Sequence, residues 1–120
     1  MSLSLTVYFI FYVALFFCVV PSSMAKDSQQ ILIIHSYSQH YPWTKLQHDG
    51  FVATLNDSEL GSFVFSTEHL DIKRLNYDES YKQMFSSYLE SKYENLAPSL
   101  IYVTDDAALN FAASYLPDYL

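Results

Sequence analysis

The sequence predicts an α/β fold: three β-α units of a parallel sheet, preceded by an apolar amino-terminal helix. Three observations predict it. Short runs rich in branched apolar residues alternate with segments of helical periodicity. Each apolar run empties into polar residues. And residues 3–20 carry no charge at all.

That charge-free run, LSLTVYFIFYVALFFCVV, is followed by PSSMAKDSQQ. Ser23 and Ala25 are small residues placed for cleavage after Ala25, the pattern of a secretory signal peptide. No Lys or Arg precedes the run, and at roughly 18 residues it is long enough to span a bilayer if left uncut. Residues 1–25 are therefore expected to be a signal peptide, with an uncleaved membrane anchor as the alternative. Either places the remaining chain in the periplasm or another extracytoplasmic space, with membrane contact only through residues 3–20. Cys18 follows Phe16 and Phe17, which are too bulky for a lipoprotein cleavage box. The exported part has no cysteine, so its roughly 95 residues fold on packing alone.

A polar linker spans residues 26–30. ILIIHS, beginning at Ile31, is of strand length and β-branched. From Pro42 to about Asn56 the pattern turns helical: proline suits a first turn, and Leu46, Gly50 and Ala53 can share a face with Phe51 and Leu55. Asn56-Asp57-Ser58 and Gly61 break it. FVFSTEHL, Phe63 to Leu70, reads as the second strand. Next comes the clearest helix, with Tyr81, Met84, Phe85, Tyr88, Leu89 and Lys92 on an amphipathic rhythm. Asn76 with Glu79, or Asp78 alone, can cap it. SLIYVT, from Ser99, is the third strand. Asp105 or Asp106 can cap the last helix, Ala107 to Leu116, which Pro117 ends.

Strands alternating with helices imply right-handed crossovers and a parallel sheet, whose ligands meet the loops at the carboxyl ends of the strands. HSYSQHYPW, EHLDIKR and TDDAAL would then open onto one rim.

Composition removes several function classes. A net charge of −7 argues against nucleic-acid binding, which needs a basic surface. Two glycines, neither just after a strand, exclude the backbone cradles of dinucleotide and P-loop sites. The four histidines, His35, His40, His48 and His69, show no zinc spacing and read as surface or hydrogen-bonded residues. His35 and Ser36 point to opposite faces of a strand and lack a glycine-flanked elbow, which disfavours a hydrolase. No cofactor and no metal are expected. Aromatic residues make up 18% of the chain, with 11 tyrosines, so rings serve either the core or a ligand-gripping cleft. Tyr37, Tyr41 and Trp43 share one loop, as a helix-start staple or a stacking surface. Asp71, Lys73 and Arg74 read as a solvated charge cluster at a strand end. Asp105 and Asp106 after the third strand read as a helix cap or a contact for an amine. A phosphorylated receiver domain is rejected, because its paired acids follow the first strand.

Together, ILIIHSYSQHYPWT, a glycine inside the first helix, EHLDIKR, YDESY and LIYVTDDAALNF resemble the ABC-transporter substrate-binding-protein-like family. Its members are periplasmic binding proteins, or extracytoplasmic sensor domains of histidine kinases and diguanylate cyclases. The resemblance implies part of a lobe of a type I-like periplasmic-binding-protein fold, in which two lobes close on a small ligand without catalysis. It implies a cleft lined by Ser36 and Tyr37, by Asp71, and by Thr104, Asp105 and Asp106, with Trp43 supporting the loop and Tyr41 beside it. It implies an amino acid, amine or peptide-like ligand, and an ABC permease or a fused signalling module as partner in full-length relatives. Such proteins are about twice this length, so residues 31–120 are expected to be a truncated lobe. The alternatives are an exported interaction or structural remnant without ligand and, behind it, a hydrolase.

Overall fold

Four branched side chains in a row, Ile31 to Ile34, are all buried, which a strand achieves only when both faces of its sheet are covered. A computed structural model, describing residues 27–116, accounts for this burial. Strands β1 (Gln29–His35), β2 (Phe63–His69) and β3 (Leu100–Thr104) alternate with helices α1 (Pro42–Asn56), α2 (Glu79–Tyr93) and α3 (Asp105–Tyr115). The strands form one parallel sheet in the order β2-β1-β3. The α/β class and its three β-α units are as the alternation predicts. The expected apolar signal or anchor helix lies outside the described residues, as does Pro117. No described helix is long and apolar enough to cross a membrane.

The strand order explains the two covered faces. From β1 the chain steps to one side for β2, then crosses back for β3. Right-handed crossovers in opposite directions put α1 on one face and α2 on the other. Side chains alternate along β1, so Leu32 and Ile34 meet one layer while Ile31, Ile33 and His35 meet the other. The first layer is the apolar core: Leu32 and Ile34 pack with Phe85, Leu89 and Tyr93 of α2 and with Ala108, Phe111 and Ala112 of α3. Each fully buried Phe or Leu there contributes about 1.5–3 kcal/mol. The second layer, under α1, is thinner and more polar. Phe51 stacks on Tyr102 with centroids 3.7 Å apart, and Thr44 is the only residue of α1 that is fully buried.

Both helix faces differ from the periodicity reading. Leu46, Gly50 and Ala53 are exposed, and α1 instead turns Thr44, His48, Phe51 and Leu55 inward. The sheet face it covers carries His35, His69 and Tyr102, so polar and aromatic partners outcompete aliphatic ones. On α2 the buried row is Phe85, Leu89 and Tyr93, while Met84 and Tyr88 face outward. One i+4 row suffices because α3 covers the other flank.

The caps divide likewise. Asp78 caps α2, accepting from the Tyr81 amide at 2.9 Å, as its position predicts. At α3, neither aspartate is the cap. Thr104 holds that position without a side-chain bond to the helix, because its hydroxyl is engaged by His35, and Asp105 and Asp106 form the first helical turn. There their charge favours the helix dipole.

One carboxylate is buried in the core layer. Glu68 of β2 accepts from Lys92 Nζ and the Tyr93 hydroxyl, each at 2.6 Å. Burial and the bond to Glu68 push the Tyr93 phenol up to about 12. The same carboxylate raises the Lys92 ammonium above its ordinary value.

Candidate functional site

At the carboxyl border of the sheet, Ser36 ties the exits of all three strands together. Its amide donates to the Thr104 carbonyl at 3.3 Å, and its own carbonyl accepts from the Ile72 amide at 3.1 Å. Its hydroxyl donates to the Thr104 carbonyl at 2.7 Å and accepts from the Ala108 amide at 2.8 Å. Ser36 is fully buried, and these bonds spend its single hydroxyl donor and one of its acceptor sites within the fold. No imidazole is bonded to its hydroxyl. His35, one residue earlier, points to the opposite face, as strand alternation requires.

Asp71 and Asp105 follow β2 and β3 on this border, and both adopt left-handed backbone, with φ of 53° and 65°. Side chains other than glycine pay about 1 kcal/mol for that conformation. Asp71 is buried and held by Arg74 Nε at 2.7 Å. Asp105 is different: its Oδ2 is buried and has no hydrogen-bond partner. It lines a cleft of about 580 Å³ with Tyr37, Ile72, Tyr77, Lys82 and Asp106. Residues from the exits of β1 and β3 thus form one concavity, walled by α2 and α3. Carboxylate, ammonium and ring faces all border it.

Of the residues singled out in the sequence, Tyr37, Asp105 and Asp106 line this cleft. Ser36, Asp71 and Thr104 lie beneath it as bonded, buried frame. Tyr41 stands at the side: its ring is 5.2 Å from that of Tyr37, and Lys73 Nζ lies 4.9 Å and 5.2 Å from the two ring centres. That geometry is a cation held by two aromatic faces. Trp43, more than half exposed on the first turn of α1, does not line the cleft.

The other face of the same border holds a cluster that spacing did not reveal. His35 and His69 are register partners on adjacent strands, and their rings stack at 5.0 Å. His48 of α1 meets His35 edge-on, with Nδ1 3.1 Å from His35 Nε2. His35 Nδ1 lies 2.8 Å from the Thr104 hydroxyl, and His69 Nδ1–H donates to the Tyr37 carbonyl at 2.9 Å. Burial, with the neighbouring His69 and His48, pulls His35 down to about 4, so it is neutral at physiological pH. The available signal was that β1 and β2 both end in histidine. Converting that into contact needed the strand register. Among the described residues, no group of three His, Cys, Asp or Glu side chains is arranged to hold a metal ion.

Comparison of the chain with family models, with curated proteins and with solved structures finds no match in any of the three.

Proposed function

We propose that this chain is an extracytoplasmic small-solute-binding or sensor-type domain, the amino-terminal lobe segment of a periplasmic-binding-protein-like fold, and that it performs no catalysis. The observation that carries the reading is the strand-tip cleft, where Tyr37, Asp105 and Asp106 meet Tyr77 and Lys82 over a frame knotted by Ser36. Open α/β sheets bind ligands outside the carboxyl ends of their strands, where loops leave for opposite faces. In this sheet the β1 and β3 exits are that place: β1 leads to α1 and β3 to α3. Rings would stack on the solute while the carboxylates and Lys82 fix its polar groups. Export, and coupling to a permease or to a kinase or cyclase module, belong to the same proposal and follow from the family resemblance of the sequence.

The absence of chemistry in this reading is supported by the state of Ser36. A nucleophile needs a base on its hydroxyl, and here the partners are a carbonyl and an amide. The test is a thermal-shift screen of the full chain against amino acids, amines and short peptides. A binder should raise the melting temperature of the wild type and lose that effect in Asp105→Asn and Tyr37→Ala. Turnover of a generic ester that disappears in Ser36→Ala would replace this reading with a hydrolase.

A further inference from the structure

We propose that a second binding site, independent of the strand-tip cleft, lies on the opposite face of the sheet at the start of α1 and takes a small oxyanion, a carboxylate or phosphate group. A cleft of about 500 Å³ opens there, lined by His40, Thr44, Lys45, His48 and His69. Three features of this cleft point to an anion.

First, α1 begins without the devices that normally satisfy a helix start. Tyr41 offers no side-chain cap, and the first turn has no acidic residue. Pro42 has no amide hydrogen, which leaves those of Trp43 and Thr44 without intrahelical partners and the positive end of the dipole uncompensated.

Second, Thr44 is 1% exposed and its hydroxyl has no partner. A buried, unpaired hydroxyl is destabilising, and valine would fill the same volume without it. Thr44 lines the cleft, and a ligand oxygen seated there pairs the hydroxyl once the side chain rotates toward it.

Third, the fold uses one nitrogen of His48 and one of His69 and leaves the other. His48 Nδ1 is taken by His35, and His69 Nδ1–H by the Tyr37 carbonyl. Nε2 of each remains for the cleft. Because His69 already carries its proton on Nδ1, donating from Nε2 to an anion requires uptake of one proton from solvent. The titratable groups around it are His35 behind, His48 on α1, His40 in the loop, and the Lys45–Asp49 ion pair at the mouth. Lys45 is thus partly neutralised by Asp49, which leaves the imidazoles, the amides and Thr44 as the selective donors.

The test uses the full chain, titrated separately with inorganic phosphate and with succinate while the imidazole nitrogens are followed by NMR. Saturable shifts of the His48 and His69 Nε2 resonances are expected; a response to phosphate alone, to succinate alone or to both defines which oxyanion the site prefers. Thr44→Val should weaken binding at least about tenfold and raise the melting temperature, because it removes a buried unpaired hydroxyl. Thr44→Ser, which keeps the hydroxyl, should bind within about twofold of wild type on the same reasoning. Resonances unmoved by either anion, or Thr44→Val binding as tightly as wild type, would overturn the proposal.

Discussion

His35 and Thr104, at the tips of β1 and β3, are joined by a 2.8 Å hydrogen bond between imidazole Nδ1 and hydroxyl, with both residues shut away from solvent. The bond links the two faces of the border. His35 belongs to the imidazole cluster under α1, and Thr104 precedes the Asp105 carboxylate of the strand-tip cleft.

Acid should act on the fold through this imidazole. His35 is held at about 4, below its ordinary 6.5, so the unfolded chain takes up a proton as pH falls through 6.5 while the folded chain does not. Stability contributed by the neutral ring is therefore complete above 6.5 and is lost between 6.5 and 4. The linkage amounts to about 2 kcal/mol by pH 5 and about 3 kcal/mol in full. Urea unfolding at pH 7 and pH 5 should show this loss in the wild type and a flatter profile in His35→Gln. An equally steep profile in the variant would assign the loss to other groups.

Ser36→Ala should cost about 2 kcal/mol although it removes a single atom. The change orphans the buried Ala108 amide at the start of α3 and takes a donor from the Thr104 carbonyl. Equilibrium denaturation measures it directly. A loss under about 0.5 kcal/mol, the range of ordinary surface changes, would mean that water or a backbone shift replaces the hydroxyl.

The Glu68 cluster offers a test of buried charge. Lys92→Met strips the cation from a carboxylate that is nearly inaccessible, whereas Lys92 itself is about half exposed. Breaking a fully buried pair costs 3–5 kcal/mol, so with this partial exposure the loss should be about 2 kcal/mol. Glu68→Gln combined with Lys92→Met should recover part of it, since the amide carries no charge to strand. A double variant less stable than the sum of both single changes would contradict this account of the cluster.

Asp105 sets stability against recognition. Glycine there relieves the left-handed backbone and removes the unpaired buried oxygen, so Asp105→Gly should stabilise the fold by about 1 kcal/mol. The same variant should lose the thermal shift produced by any solute that stabilises the wild type. Retention of that shift would move recognition away from the β3 exit.

What the amino-acid order determined by itself was local and periodic. Four branched apolar residues at Ile31–Ile34 specify a strand buried on both faces, Asp78 caps a helix three residues before the amide it binds, and alternation of element types specifies the α/β class. These features depend on neighbours a few residues away. Tyr37, Asp105 and Asp106 could be picked out because residues at strand exits must share an edge once the sheet is parallel. Only the tertiary structure decided the rest. Which face of α1 is inward depends on the sheet surface it meets, and that surface carries His35, His69 and Tyr102 instead of a uniform apolar layer. The imidazole cluster joins residues 13 and 34 positions apart and exists only because β1 and β2 pair in the register that opposes His35 to His69. Likewise, Ser36 looks free in a polar loop, and only the arrival of Thr104 and Ala108 turns its hydroxyl into part of the frame. Periodicity records which way a side chain points along its own element; it carries no information about the side chain that another element, many residues away, sets against it.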